Sequence, residues 1–304
     1  MQERYISSGS SRLHIAVWEP SGERKAIMQI SHGMIEYIKR YSHFANYLNQ
    51  AGILVIGNDH KGHGLTAEKD EDLGYFGEEK SAAVIEDLHE VTRYAKEQYG
   101  ADVPYFLFGH SMGSLAVRAF AAEHDDCIDM LIVCGSPSEN KARPLGKAIA
   151  CVEGRILGAH HKSKLLEAMS LGAYAMKFRG EGNRNSWICS DPEVYKAYTE
   201  SDLCGFTFTD DAYLALFDLM KKAYDVHGWR CTRSKMPVLF ISGAEDPCLG
   251  NVRKFAGAVH AMRRAGYLDV KGKLYQGMRH EILNEKDHEK VWKDIAVYIK
   301  KKGF

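Results

Sequence analysis

Apolar positions in this chain follow two patterns that alternate along most of its length. Continuous apolar runs occur at 26–30, 53–56, 105–108, 130–134 and 238–241. Runs without polar alternation are what strands of a parallel sheet require when helices cover both faces. Between them lie helical patterns: Tyr41, Phe44, Ala45 and Leu48 mark one apolar face, and Val84, Ile85, Leu88, Val91, Thr92 and Ala95 a longer one. Residues 4–6 and 13–18 read as strands joined by the turn-rich segment 7–11, an antiparallel hairpin at a sheet edge. After residue 241 the pattern predicts a helix over 252–264, a strand over 269–275 and a closing helix over 286–301. The fold class is therefore α/β, with a mostly parallel central sheet.

One interval breaks the alternation. Residues 136–235 contain no convincing buried strand, although 164–176 and 211–224 have helical character. This predicts a helical cap over 136–235 inserted into a core made of 1–135 and 236–304. No internal repeat or low-complexity segment is present.

Composition narrows the function classes. At 304 residues and 45% hydrophobic content the chain buries a full core, and 40 basic against 40 acidic side chains give no sign of a nucleic-acid binder. The seven cysteines are scattered without a C-x-x-C pair, which fits reduced thiols in a cytoplasm better than a disulfide framework or zinc site. Residues 1–7 lack a basic start followed by an apolar run, and no later stretch is apolar enough to span a bilayer. A cytoplasmic, unexported protein is expected.

The chemistry concentrates at Gly109-x-Ser111-x-Gly113, between an apolar strand and a segment of good helix formers. A strand that turns directly into a helix strains its corner residue and crowds the positions two away, so glycine is needed on both sides and the serine hydroxyl stands clear of the sheet. Read blandly, the same stretch is a glycine-rich turn whose serine caps a helix. A serine nucleophile needs a histidine base and an orienting carboxylate, and in this class of fold such groups stand beyond the carboxyl ends of strands. The run 238–241 leads into Glu245-Asp246-Pro247, and the next strand leads into His280. The order Ser111, Asp246, His280 is the one this fold uses. Asp246 is preferred to Glu245 because Pro247 stiffens the backbone after it and a short carboxylate holds an imidazole with less freedom. Two backbone amides are expected to stabilise an oxyanion: Met112, opening the helix after the nucleophile, and Met34, after Ser31-His32-Gly33. His32 is expected to be structural, since one base suffices.

His32-Gly33-Met34 with Glu36, Arg40 and Tyr41, then Asp59-His60-Lys61-Gly62-His63-Gly64, Gly109-His110-Ser111-Met112-Gly113, Glu245-Asp246-Pro247 and 280–285 together resemble the monoacylglycerol lipase and lysophospholipase branch of the α/β-hydrolases, often labelled serine aminopeptidase S33. Asp202-Leu203-Cys204-Gly205-Phe206 also looks like the cap of bacterial members. Leu65-Thr66 after Gly64 and Ser114 depart from the usual pattern without removing a catalytic group. The resemblance implies Ser111 as nucleophile, His280 as base, Asp246 as its orienter, and Met34 and Met112 as oxyanion donors. It implies cleavage of an acyl ester through an acyl-serine, with no metal or organic cofactor and a monoacylglycerol or lysophospholipid as substrate. A peptidase, a small-ester esterase and a non-catalytic binding protein are the alternatives.

Within the cap, 141–184 carries nine basic residues against three acids, and the balance reverses over 186–234. The basic half fits transient contact with an anionic headgroup or membrane surface, and equally a solvated helix face. Thirteen large apolar cap residues, among them Leu166, Tyr174, Trp187, Phe208 and Phe217, are candidates for an acyl pocket, most of them expected to serve the cap's own core. The oligomeric state is not readable.

Overall fold

A computed structural model describes residues 1–9, 11–77 and 80–304. Eight strands form one sheet: β1 (Gln2–Ser8), β2 (Ser11–Trp18), β3 (Ala26–Ser31), β4 (Ile53–Asn58), β5 (Tyr105–His110), β6 (Met130–Cys134), β7 (Val238–Gly243) and β8 (Val270–Tyr275). Their spatial order is β1-β2-β4-β3-β5-β6-β7-β8. Only β1 and β2 run antiparallel to their neighbours, as the predicted edge hairpin requires; Ser10, in its turn, lies outside the described residues.

The continuous apolar runs follow from burial on both faces. Along β5, Tyr105 and Leu107 point into one apolar layer while Phe106 and Phe108 point into the other. The first layer is closed by α2 (Lys80–Tyr99), α3 (Met112–His124) and α9 (Val252–Arg264), the second by α1 (Ser42–Gln50) and α10 (His288–Lys301). The predicted helical faces are the ones buried: Phe44, Ala45 and Leu48 on α1, and Val84, Leu88, Val91 and Ala95 on α2.

Between β6 and β7 the chain forms α4 (Arg143–Leu157), α5 (Lys164–Glu167), α6 (Ala173–Lys177), α7 (Pro192–Glu200) and α8 (Asp210–Tyr224). The single helix expected over 164–176 is a composite, because a π-helical turn at Ala168–Gly172 separates α5 from α6. Helices α4 and α7 escaped the sequence reading. Much of the apolar face of α4 is turned outward, with Leu145, Val152 and Ile156 exposed, so its periodicity does not announce a core. Among the described residues the only strand-like pairing within this segment is an isolated β-bridge between Lys162 and Thr209. Helix α8 packs on α3, which brings the segment over the carboxyl ends of β5 and β6.

Candidate active site

Ser111 occupies the corner between β5 and α3 with φ 54° and ψ −119°, a left-handed conformation that costs a non-glycine residue about 1–3 kcal/mol. The flanking glycines are obligatory. A Cβ on Gly109 would lie 2.4 Å from the Gly113 carbonyl oxygen, and one on Gly113 would lie 2.1 Å from that of Ser31. The bland reading of Ser111 as a helix cap fails, since its side chain makes no capping hydrogen bond.

His280 Nδ1 lies 2.9 Å from Asp246 Oδ2. Asp246 is buried; its Oδ1 accepts from the Cys248 N–H at 2.8 Å, and its Oδ2 accepts from Ser242 Oγ at 3.0 Å. Burial alone would raise its pKa, but the charge and hydrogen bond of His280, with these two donors, hold it below the usual carboxylate value. Glu245, the weighed alternative, points to solvent. Among the described residues no hydrogen bond joins Ser111 Oγ to His280, although both line one cavity; such contacts often tighten only when substrate binds.

The loop after β3 separates its amides by use. The Gly33 N–H donates to Glu36 Oε1 at 2.6 Å and the Ile35 N–H to His63 Nε2 at 3.2 Å. Met34, between them, keeps its N–H uncommitted among the described residues and lines the same cavity. Met112 opens α3, so its N–H has no acceptor within the helix. His32 is buried and fully engaged, with Nδ1 2.7 Å from the Gly33 carbonyl and Nε2 accepting from the His60 N–H at 3.0 Å. It is a structural residue, as expected.

The cavity measures about 270 Å³ and is walled by Ser111, His280 and the segment between β6 and β7. Of the thirteen apolar candidates, Leu166, Met169, Leu171, Tyr174, Trp187, Leu216 and Phe217 line it, so lining rather than internal packing claims the majority. Asp246, Cys248 and His280 bring three ligand-type atoms together. Burial, and then the Asp246 charge, pushes the Cys248 thiol pKa well up, and Asp246 and His280 are already bonded to each other.

Residues 22–287 match the family described as serine aminopeptidase, S33. The chain belongs to the serine aminopeptidase S33 family. It is 24% identical to a monoacylglycerol lipase of Mycolicibacterium smegmatis over 299 residues, covering 98% of this chain and 96% of that protein. It is 32% identical to the monoglyceride lipase of Rattus norvegicus over 118 residues, 39% of this chain and 37% of the other. Among solved structures it is similar to a thermostable carboxyl esterase from Bacillus coagulans bound to glycerol, with TM-score 0.89 and 26% identity over 98% of this chain and 97% of that one. The fold is that of the α/β-hydrolases.

In this S33 chain a buried ionic network underlies the site. Glu36 accepts from Gly33 N–H, from Tyr41 Oη at 2.8 Å and from Arg40 at 2.6 Å, and sits 3.1 Å from His110 Nδ1. Arg40 also grips both oxygens of Glu281, at 2.6 and 2.7 Å. The loops bearing Met34 and His280 are thereby tied together. Burial would raise the Glu36 pKa, but His110 and Arg40 overcome it and hold it well below the ordinary value. Sequence reasoning quoted these residues as motif members without giving them a role; the signal was a charged residue inside otherwise apolar surroundings.

Proposed function

We propose that the protein is a serine carboxylic-ester hydrolase acting on a single-chain lipid ester, a monoacylglycerol or lysophospholipid, with residues 136–235 as its cap. Ser111 Oγ attacks the ester carbonyl carbon while His280 Nε2 takes its proton, and Asp246 fixes the ring through Nδ1–H. The N–H groups of Met34 and Met112 receive the oxyanion. Collapse expels the alcohol with the proton held by His280, and a water, activated by the same imidazole, releases the fatty acid.

The observation that carries this reading is the mainly apolar cavity against Ser111 and His280, partly roofed by helices. The peptidase alternative needs a free carboxylate for the substrate amine. Among the described residues the acids lining the cavity are Glu36 and Glu281, and Arg40 engages both. The exposed Leu145, Val152 and Ile156 of α4, beside Lys147 and Arg155, suit transient contact with an anionic membrane surface. No helix among the described residues is long and apolar enough to cross a membrane. All seven cysteines are free, in keeping with a cytoplasmic location.

The test is kcat/KM against acyl length, beside aminoacyl amides. Each buried methylene adds about 0.8 kcal/mol, so the value climbs severalfold per two carbons until the cavity fills. Replacing 136–235 by a short Gly-Ser linker flattens the climb and spares acetyl esters, provided the melt shows a folded protein. A flat profile in the intact chain, or absence of labelling by a fluorophosphonate, overturns the reading.

A further inference from the structure

Away from Ser111, three side chains of the segment between β6 and β7 meet in an arrangement short of positive charge. Glu153 comes from the last turns of α4, His161 from the following loop, and Asp210 from the first turn of α8. One ligand-type atom of each lies within 4.8 Å of the other two. Asp210 is 1% exposed; its Oδ2 sits 2.7 Å from His161 Nδ1, while its Oδ1 is buried with no hydrogen-bond partner. Glu153 Oε2 accepts from Ser163 Oγ at 2.5 Å. Among the described residues no lysine or arginine forms an ion pair with either carboxylate. An orphaned carboxylate oxygen buried beside a second carboxylate is costly unless a shared proton or a cation compensates it, and burial, with Glu153 beside it, already raises the Asp210 pKa.

We infer that Glu153, His161 and Asp210 bind a divalent transition-metal ion, zinc by preference, that staples α4 to α8. One imidazole nitrogen and two carboxylate oxygens are donors zinc accepts, with water as fourth ligand, and modest side-chain rotation closes the triangle around bonds of about 2.0–2.2 Å. The supports are in place: Ser163 holds Glu153, the Asp210 N–H donates to the His161 carbonyl at 3.0 Å, and the partly exposed His161 leaves an entry path. The consequence concerns the roof of the cavity. Gly146 on α4 and Tyr213, Leu216 and Phe217 on α8 all line it. An ion joining the two helices near their Glu153 and Asp210 ends therefore fixes the spacing of two roof elements without touching the reacting atoms.

The test uses the full chain, stripped with a chelator and titrated with zinc sulfate. Retained metal is measured after gel filtration, and thermal melts are run with and without the ion. One equivalent of zinc and a melting temperature that rises with zinc concentration are expected. His161→Ala, a change at a partly exposed loop residue, should weaken binding by at least about tenfold while the metal-free melt stays cooperative; Glu153→Gln should act likewise. Three outcomes overturn the assignment: no retained zinc, in which case a shared proton compensates the carboxylates; equal retention by His161→Ala; or retention abolished by Cys248→Ala instead, which would place the ion beside Asp246 and His280.

Discussion

The floor and the roof of the cavity are built on opposite principles. The floor is polar, hydrogen-bonded and stiff: Ser111 is held in a strained corner, His280 is bonded to Asp246, and the Glu36–Arg40–Glu281 network ties their loops together. The proposed cap over it is apolar on the inside and, along α4, apolar on the outside too. Its two halves also differ. Residues 181–205 grip the floor: Arg279 pairs with Glu181 and donates to the Ser186 carbonyl, the Glu281 N–H donates to Ile188, and Tyr198 Oη and the Gly205 N–H both donate to the Ile35 carbonyl. Helix α4 and the composite helix after it do less of this, Lys177 Nζ to the Glu245 carbonyl at 3.1 Å being one such tie. Chemistry demands fixed geometry, whereas admission of a flexible acyl chain demands a surface that can adapt.

If the floor alone carries the chemistry, the largest effects come from its three central side chains. Ser111→Ala and His280→Ala should each lower kcat by about six orders of magnitude, Asp246→Asn by about four, and the double Ser111→Ala/His280→Ala should be no worse than either single. Pre-steady-state and steady-state ester hydrolysis check this; loss on replacing Glu245 but not Asp246 would move the carboxylate.

The network beneath is next. Arg40→Met leaves the buried carboxylates of Glu36 and Glu281 facing each other, and breaking a buried ion pair from one side costs about 3–5 kcal/mol. Denaturant melts should show that loss, and Glu281→Gln added to Arg40→Met should recover part of it. A stability within about 1 kcal/mol of wild type would mean that the network is solvated and not a tie between the two loops.

Met34→Pro removes one backbone N–H without touching Ser111, Asp246 or His280. It should cost roughly 2.7–4 kcal/mol of transition-state stabilisation, read from kcat, with circular dichroism confirming the fold. Met34→Ala keeps the amide and should stay near wild type. Equal losses in both would assign the effect to the side chain.

The same contrast explains what could be read in advance. Strands β3 to β7 and the elbow were legible because burial on both faces and the sharp turn leave few residues to choose from: Gly109 and Gly113 have no room for a Cβ. Asp246 and His280 were legible because parallel topology confines them to strand ends. Helices α4 and α7 were not: the apolar stripe of α4 is largely turned outward and α7 is only nine residues long, and the π-helical turn at Ala168–Gly172 breaks the helix that was seen. The pairing of Arg40 with Glu281, 241 positions apart, has no local sequence signal at all. It exists only because the 3-10 turn Ile38–Tyr41, ahead of α1, and the loop after β8 meet.

Where floor and roof join, His63 offers the smallest but most discriminating test. Its ring contacts Phe76 of the core side and Phe206 and Phe208 of the proposed cap, at centroid distances of 5.5, 5.3 and 5.4 Å. Nδ1 lies 2.9 Å from the Lys61 carbonyl and Nε2 accepts the Ile35 N–H, so the ring is held neutral with its proton on Nδ1. Burial, reinforced by repulsion from His32, lowers its pKa from 6.5 to about 3. A depressed folded pKa means that the unfolded chain binds the proton first. The contribution to stability is whole above pH 6.5 and is lost as pH falls from there toward about 3, at up to ~1.4 kcal/mol per pH unit. In the folded protein Nε2 is protonated only near pH 3, where the acceptor for Ile35, the neighbour of Met34, is lost. His63→Gln has no titration in this window and should flatten that part of the stability profile while lowering the neutral-pH plateau. Unfolding free energies by denaturant, measured from pH 7 to pH 4 for both proteins, decide the matter. Parallel profiles would show that His63 does not couple the loop to acid.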